Sequence, residues 1–160
     1  MSDAFFIHRT TVSPSWIDYN GHMGDYAYGI VFSDAATAYM DRIGIDATYR
    51  KGNSATLYTL DSRIGYLKEC HVGEALSVEL SVLDADRKRM HLFLRMLNES
   101  GQETALCEQV LMHVSRTSGS PRASDMPELA QQRLFADLEL SQATIKPDWL
   151  RRPIGLGKKP

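Results

Sequence analysis

The 160 residues predict an α+β fold, with one long helix set early in the chain and an antiparallel sheet built after it. From Tyr26 to Ile43 apolar residues recur at helical spacing, while Leu76, Val78, Leu80 and Val82 alternate with Ser77, Glu79 and Ser81. Turn sequences at 84–87 and 98–101 separate consecutive β-forming runs. A 3.6-residue period buries one stripe of a helix, and a two-residue period buries one face of a strand. Strands joined through turns this short pair antiparallel, because a parallel pair needs a long crossover.

Phe5 to Val12 reads as a first strand, stopped at Ser13-Pro14 because proline has no N–H for a ladder and holds its predecessor extended. On a wheel of about 100° per residue, Tyr28, Phe32, Ala35, Ala36, Tyr39 and Ile43 share one side of the helix that follows, and Ser33, Asp34, Thr37 and Asp41 lie off it. Gly29, Ala35, Ala36 and Ala38 are small enough to admit a sheet close to the axis, as expected of a long central helix wrapped by a curved sheet. Gly44 supplies the stop.

A short link ending at Gly52-Asn53 leads into a β-rich run from Ala55 to Lys68. The alternating run from Leu76 to Val82 comes next, then Met90 to Leu97 and Thr104 to Ser115, a three-strand meander through the two turns. Past Ser118-Gly119-Ser120-Pro121 the character changes: Asp125-Met126-Pro127-Glu128 resembles a helix start, and Leu129 to Leu140 a short amphipathic helix. The rest, rich in Pro, Gly and Lys, reads as a loosely ordered arm. The expected organisation is one domain over 1–118 and a C-terminal extension over 119–160, with no internal repeats.

A domain of this size buries a core without disulfides or metals. The formal net charge of -2, with no basic patch interleaved with aromatics, leaves no electrostatic case for nucleic acid. Cys70 and Cys107 are too few and too separated for a disulfide framework or a zinc motif, so a reducing cytoplasm is the expected setting. The first eight residues lack a basic region followed by an apolar core, and no run approaches the roughly 20 apolar residues of a membrane span. A soluble, untargeted protein is expected, with a small molecule or a second copy of itself as partner.

Asp18-Tyr19-Asn20-Gly21-His22-Met23-Gly24-Asp25 is the most informative stretch, because it sets an acid beside the start of the long helix. Unpaired N–H groups and the positive end of the macrodipole can polarise a carbonyl oxygen there. Taken alone, the stretch equally suits a turn capped by Asp or Asn. With its order of one strand, one long helix and an antiparallel sheet, the chain resembles the hot-dog fold. The stretch resembles the Asp-x-x-Gly-His-x-Asn-Asn signature of the acyl-CoA thioesterases related to 4-hydroxybenzoyl-CoA thioesterase. The longer string from Trp16 to Met23 resembles the betainyl-CoA thioesterases of carnitine breakdown. The likeness spans about residues 4–116 and is weaker in the tail. It implies thioester hydrolysis with no cofactor beyond the coenzyme A that the substrate carries. It also implies a pantetheine groove between subunits, and hence a homodimer or homotetramer.

Hydrolysis of a thioester needs an acceptor for a water proton, or a nucleophile, and donors for the oxyanion that develops on the carbonyl oxygen. Asp18 suits the first role. The backbone N–H of Asp25 falls where the related enzymes place their helix donor, with Gly24 as a second candidate donor that also leaves room for the thioester. Asn20 and His22 complete the candidate catalytic set, although turn formation and loop anchoring are ordinary uses of both. Asp34 is the alternative acid, since another branch of hot-dog thioesterases carries its acid mid-helix, but its wheel position beside Asp41 is that of a solvated face.

Where the family has paired asparagines, this chain has Gly24-Asp25. A carboxylate at a helix start compensates the dipole; facing an acyl group, it suits a cation and penalises a fatty chain. Quaternary ammonium groups are held by aromatic cages, and Trp16, Tyr26, Tyr58 and Tyr66 are the candidate substrate-binding aromatics, while Tyr28 falls on the apolar helix face and is assigned to the core. The phosphates of coenzyme A call for cations, for which Arg63, Lys68, Arg87, Lys88 and Arg89 are candidates. His91 and His113 fall on neighbouring strands, but single histidines without a third ligand at suitable spacing rarely make a site, and no metal is expected. The favoured reaction is betainyl-CoA to glycine betaine and coenzyme A. The alternatives are a short-chain or aromatic acyl-CoA with the same chemistry, and a non-catalytic acyl-CoA binding module, which would have no need of the acid at 18.

Overall fold

The computed structural model describes residues 5–157; the N-terminal residues 1–4 and the last residues of the arm, 158–160, on which part of the sequence reading fell, lie outside the described residues. β1 (Ile7–Thr11) leads through a 3-10 turn at Pro14–Trp16 to α1 (Asp25–Arg42) and α2 (Ala47–Asn53). β2 (Ala55–Tyr66), β3 (Ala75–Ala85), β4 (Arg89–Asn98) and β5 (Glu103–Ser115) follow, then β6 (Arg122–Ala123) and α3 (Glu128–Ser141). The strands lie in the order β1-β3-β4-β5-β2, all neighbours antiparallel, with β6 added to the end of β5.

The pairing slips between Thr59 and Asp61, between Val82 and Asp84, and between Met96 and Leu97. Each such bulge bends its strand and increases the local twist, and the sheet curls into a half-barrel around α1. Along α1 the residues Ala27, Tyr28, Val31, Phe32, Ala35, Ala36, Tyr39 and Met40 are buried. All but Ala36 belong to one core with Val78, Leu80, Val82, Leu92, Leu94, Met96, Ala105 and Cys107 of the sheet. Of the small residues expected to admit the sheet, Ala35 and Ala36 are buried, and Gly29 and Ala38 are half-buried. The fold is α+β, the hot-dog arrangement that the element order implies.

The stretch 47–53, read as part of a link, is a helix. Asp46 Oδ1 accepts the Tyr49 N–H at 2.8 Å and so caps it, but a helix of 7 residues is too short to display a period. The C-terminal extension is tied into the same core through Met126, Ala130 and Leu134. Asp137 of α3, only 3% exposed, accepts the Tyr39 hydroxyl at 3.0 Å and the Arg42 Nε and Nη2 groups at 3.0 and 2.8 Å. Ser141 Oγ takes the Val82 N–H at 2.8 Å, so α3 is bonded to both α1 and β3. Beyond it, the Trp149 ring lies over the Arg63 guanidinium at 3.9 Å, and Arg63 donates to the carbonyls of Trp149 and Arg152. Gly65 permits this contact, because a Cβ there would stand 2.6 Å from the indole.

His113 of β5 is 2% exposed and joins three parts of the chain. Its Nε2 lies 2.9 Å from the Tyr49 hydroxyl of α2, and its Nδ1 lies 3.0 Å from both Oγ and the carbonyl oxygen of Ser124, just after β6. Burial holds the imidazole below its usual 6.5, and the neutral ring satisfies both sides, one nitrogen donating to Ser124 and the other accepting from Tyr49. Between the folded and unfolded pKa values the unfolded chain binds more protons, so this contribution is full above about 6.5 and is lost as pH falls toward the folded value. The urea midpoint is expected to drop between about pH 7.5 and about pH 5.5, and to drop less in His113→Gln; an equal drop would remove His113 as its source.

Candidate active site

The loop before α1 is a small hairpin. Asp18 N–H donates to the His22 carbonyl at 2.9 Å, Gly21 N–H returns to the Asp18 carbonyl at 3.0 Å, and Ile17 bridges Met23. Gly21 has φ 80°, the left-handed position that closes a three-residue hairpin loop and that glycine adopts without steric cost. The hairpin is held from both sides: Met23 N–H donates to the Cys70 carbonyl at 2.9 Å, and Gly24 N–H to the Trp16 carbonyl at 2.8 Å.

This places the acid at the head of α1. Asp18 Oδ1 accepts the Asn20 N–H at 2.8 Å, while Oδ2 has no hydrogen-bond partner among the described residues. Asp25 is the first residue of α1. Its side chain turns back to accept the Tyr26 N–H at 2.9 Å, and its carbonyl accepts the Tyr66 hydroxyl at 3.3 Å. The N–H of Asp25 makes no hydrogen bond among the described residues, whereas that of Gly24 is taken by Trp16. An open first-turn amide beside a carboxylate with an unpaired oxygen is the arrangement that can polarise a carbonyl oxygen while acting at its carbon.

Asp18 and Asp25 both line a cleft of about 360 Å³, with Asn20, His22, Met23, Tyr28, Tyr66, Leu67, Lys68 and Glu69. The structure therefore brings together Asp18, Asn20, His22, Asp25, Tyr66 and Lys68 of the residues singled out by sequence. Trp16 packs against the core and Tyr26 donates to the Ser15 carbonyl at 3.3 Å, both off the cleft lining. Tyr58 lies toward the other end of β2, its hydroxyl bound by Arg116. Arg63 faces Glu108, with Nη2 3.0 Å from Oε2. Arg87 and Lys88 lie near Asp125, and Arg89 pairs with Asp86, in the turn whose strand meets β5 at Met112, far along β5 from the Ala105 partner of Tyr66. Asp34 is exposed and lies outside the cleft lining.

Several cleft residues were not among the candidates. Tyr28 lies one turn along α1 from Asp25, so the two share a face at i, i+3. It is 4% exposed, its hydroxyl donates to the Lys68 carbonyl at 2.9 Å, and its ring meets Tyr66 edge-to-face at 5.2 Å. Burial, with the Cys70 side chain alongside, raises the Tyr28 hydroxyl well above the ordinary phenol range, so it stays a neutral donor. Glu69 and Leu67 come from the segment after β2, and Glu69 Oε2 stands 3.2 Å from His22 Nε2. Helical spacing signals Tyr28; nothing in the sequence signals Glu69, because only the docking of the hairpin on Cys70 brings it near.

The histidine pair on the sheet does not converge on a common point: His91 Nε2 faces Glu108 at 2.8 Å, and His113 is enclosed by Tyr49 and Ser124. A larger opening, about 490 Å³, lies on the outer side of the sheet between β2, β5 and the arm, with Arg63, His91 and Glu108 in its wall. Arg63, His91 and Glu108 pair with one another there, and the opening lies away from the head of α1.

The model of the thioesterase-like superfamily matches residues 12–134. The betainyl-CoA thioesterase of Pseudomonas aeruginosa PAO1 is 38% identical over 157 residues, which is 98% of each chain. A Staphylococcus aureus protein solved in complex with CoA superposes with a TM-score of 0.89 at 30% identity, covering 95% of both chains. A candidate thioesterase of Pseudomonas putida KT2440 superposes with a TM-score of 0.82 at 35% identity, covering 97% of this chain and 98% of that one.

Proposed function

The chain belongs to the thioesterase-like superfamily, and from that premise we propose that it hydrolyses betainyl-CoA to glycine betaine and coenzyme A. One juxtaposition carries the assignment: Asp18, with its unpaired oxygen, and Asp25, with its open amide, line the same cleft. The thioester carbonyl oxygen accepts from the Asp25 N–H, which favours the tetrahedral oxyanion over the ground-state carbonyl. Asp18 removes a proton from the attacking water, or attacks the carbonyl carbon itself; both routes use its unpaired oxygen. Collapse of the intermediate breaks the C–S bond and releases coenzyme A as the thiolate. With water as the attacking group the acyl group leaves as its acid; with Asp18 as the attacking group it stays on Asp18 as an anhydride, which a water then hydrolyses to the acid and the free carboxylate. Water and the chain's own groups supply every step.

The trimethylammonium end of a betainyl group finds the Asp25 carboxylate and the rings of Tyr66 and Tyr28 in the same cleft. Lys68 is the cation best placed for a coenzyme A phosphate, since it lines the cleft and is exposed. Arg63, Arg87, Lys88 and Arg89 lie outside the cleft of one chain and serve a phosphate only through another subunit. A homodimer or homotetramer is supported by the free edge of β2 and by exposed Leu60, Tyr66 and Leu67 on and after it, with exposed Tyr26 and Ile30 on α1. Residues 1–118 form the thioesterase unit in this proposal, and 119–160 an extension that braces it through α3. No described helix is long and apolar enough to cross a membrane, and two free buried thiols, Cys70 and Cys107, suit a reducing cytoplasm.

Asp25→Asn tests the acyl group. An exposed charge pair is worth about 1 kcal/mol, so the preference for betainyl-CoA over acetyl-CoA, taken as a ratio of kcat/KM, is expected to fall roughly fivefold with hydrolysis of acetyl-CoA retained. An unchanged ratio would discard the cationic substrate while keeping the hydrolase. Activity of the unaltered protein on hexanoyl-CoA or 4-hydroxybenzoyl-CoA, and none on betainyl-CoA, would discard it directly.

A further inference from the structure

The rim of the cleft gathers a set of metal-ligating atoms that the hydrolytic scheme does not use. His22, Glu69 and His71 each offer one such atom, and all of these lie within 4.8 Å of one another. His22 belongs to the hairpin before α1, and the other two belong to the connection between β2 and β3. The bond from Met23 N–H to the Cys70 carbonyl holds those two segments together. We propose that these three side chains bind a divalent transition-metal ion of the zinc class, and that the bound ion closes the cleft to substrate.

Tetrahedral zinc holds imidazole nitrogens and carboxylate oxygens at about 2.0–2.2 Å, which sets its ligand atoms roughly 3.3 Å apart. His22 Nε2 and Glu69 Oε2 already stand 3.2 Å apart. The wider separations close by side-chain rotation, because the side chains of Glu69 and His71 are 66% and 62% exposed and free to turn. The rings of His22 and His71 meet edge-to-face with centroids 5.1 Å apart. Glu74 Oε2 accepts the His71 backbone N–H at 3.0 Å and stands 3.9 Å from His71 Nδ1. At that distance Glu74 makes no hydrogen bond to the ring, but it anchors the His71 backbone and adds negative charge beside the imidazole.

Two imidazoles and one carboxylate suit zinc, nickel or copper, whereas magnesium and calcium take oxygen ligands. Asp18 and Asp25, in the wall of the same cleft, add negative potential that favours any cation there, and Lys68 opposes it. The hydrolysis proposed above routes no step through a metal, so the ion is an inhibitor. His22 and Glu69 line the cleft with Asp18, and an ion between them occupies the space through which a thioester approaches the acid. Closure rests on the hydrolase reading; binding does not.

Zinc affinity is measured on the full chain by competition with a chromophoric chelator, and coenzyme A release from betainyl-CoA is followed chromatographically, because zinc also binds free thiols. The unaltered protein is expected to bind zinc stoichiometrically and lose turnover, to recover it with EDTA, and to ignore magnesium. His71 lies outside the cleft lining. His71→Ala should therefore keep its metal-free turnover, bind zinc at least about tenfold more weakly, and resist inhibition. No stoichiometric binding by the unaltered protein, or unchanged affinity in His71→Ala, overturns the site. Binding that depends on His71 but leaves turnover intact overturns the closure. Failure of the metal-free protein to hydrolyse any acyl-CoA strikes the hydrolase reading, while the binding data still decide the site.

Discussion

Asp18→Asn is expected to lower kcat for betainyl-CoA by about 10²–10⁴-fold with little change in thermal unfolding. The substitution keeps the one side-chain hydrogen bond that Asp18 makes among the described residues, since an amide oxygen accepts the Asn20 N–H as a carboxylate oxygen does. What it removes is the charge, and with it the ability to take a proton from water or to attack a carbonyl. A loss of that size corresponds to about 3–5 kcal/mol of transition-state stabilisation, within the range for one positioned base. Asp18→Ala is the poorer test, because it also removes the Asn20 contact. Asp34→Asn is the internal control: Asp34 is exposed and outside the cleft, so its variant should turn over like the unaltered protein. Coenzyme A release by the three proteins, with an unfolding scan of each, decides the point. Full activity in Asp18→Asn would end the assignment of the acid, and loss only in Asp34→Asn would transfer it.

Asp137→Ala has the largest expected effect on stability. The Asp137 carboxylate is enclosed and holds three donors, one from Tyr39 and two from Arg42. Removing one member of a buried ionic group costs about 3–5 kcal/mol when the other charge is stranded, but the Arg42 side chain is 41% exposed and turns to water. Tyr39 has no such exit, being fully buried. Burial and the Asp137 carboxylate together push its hydroxyl far above the phenol range, so it stays protonated and is left as a donor without an acceptor. That penalty is about 1–3 kcal/mol. With lost packing of α3 on β3, a total of about 3 kcal/mol is expected, and Tm should fall by roughly 6–12 °C. Tyr39→Phe with Asp137→Ala should recover part of the loss, because no unpaired hydroxyl remains; a double variant no better than the single one would place the cost elsewhere.

Most of the fold was legible because its elements are long and their periods unmixed. α1 carries one committed apolar stripe, β3 alternates from Leu76 to Val82, and the turns at 84–87 and 98–101 have the residues that turns need. The short pieces were not legible. α2 is held by one Asp cap and β6 by two residues of pairing, and neither is long enough to repeat a pattern. Sequence order also hid the spatial order: nothing local says that β1 lies beside β3 while β2 crosses to the far side of β5.

By itself the sequence determined an acid two residues before Asn20, a glycine at the left-handed position of the loop, and a helix whose first residue follows at once. These are local facts, set by turn chemistry and helix initiation over neighbouring residues. Only the tertiary structure decided that Gly24 spends its amide on Trp16 and Asp25 keeps its own open, because that depends on how the hairpin seats against the 3-10 turn. It also decided that Tyr66, Lys68 and Glu69 complete the cleft while Trp16, Tyr26 and Tyr58 do not. Aromatic composition supplies candidates for a cage, but the curvature of β2 and the docking of the following segment on Cys70 select among them, and those contacts join residues far apart in the chain.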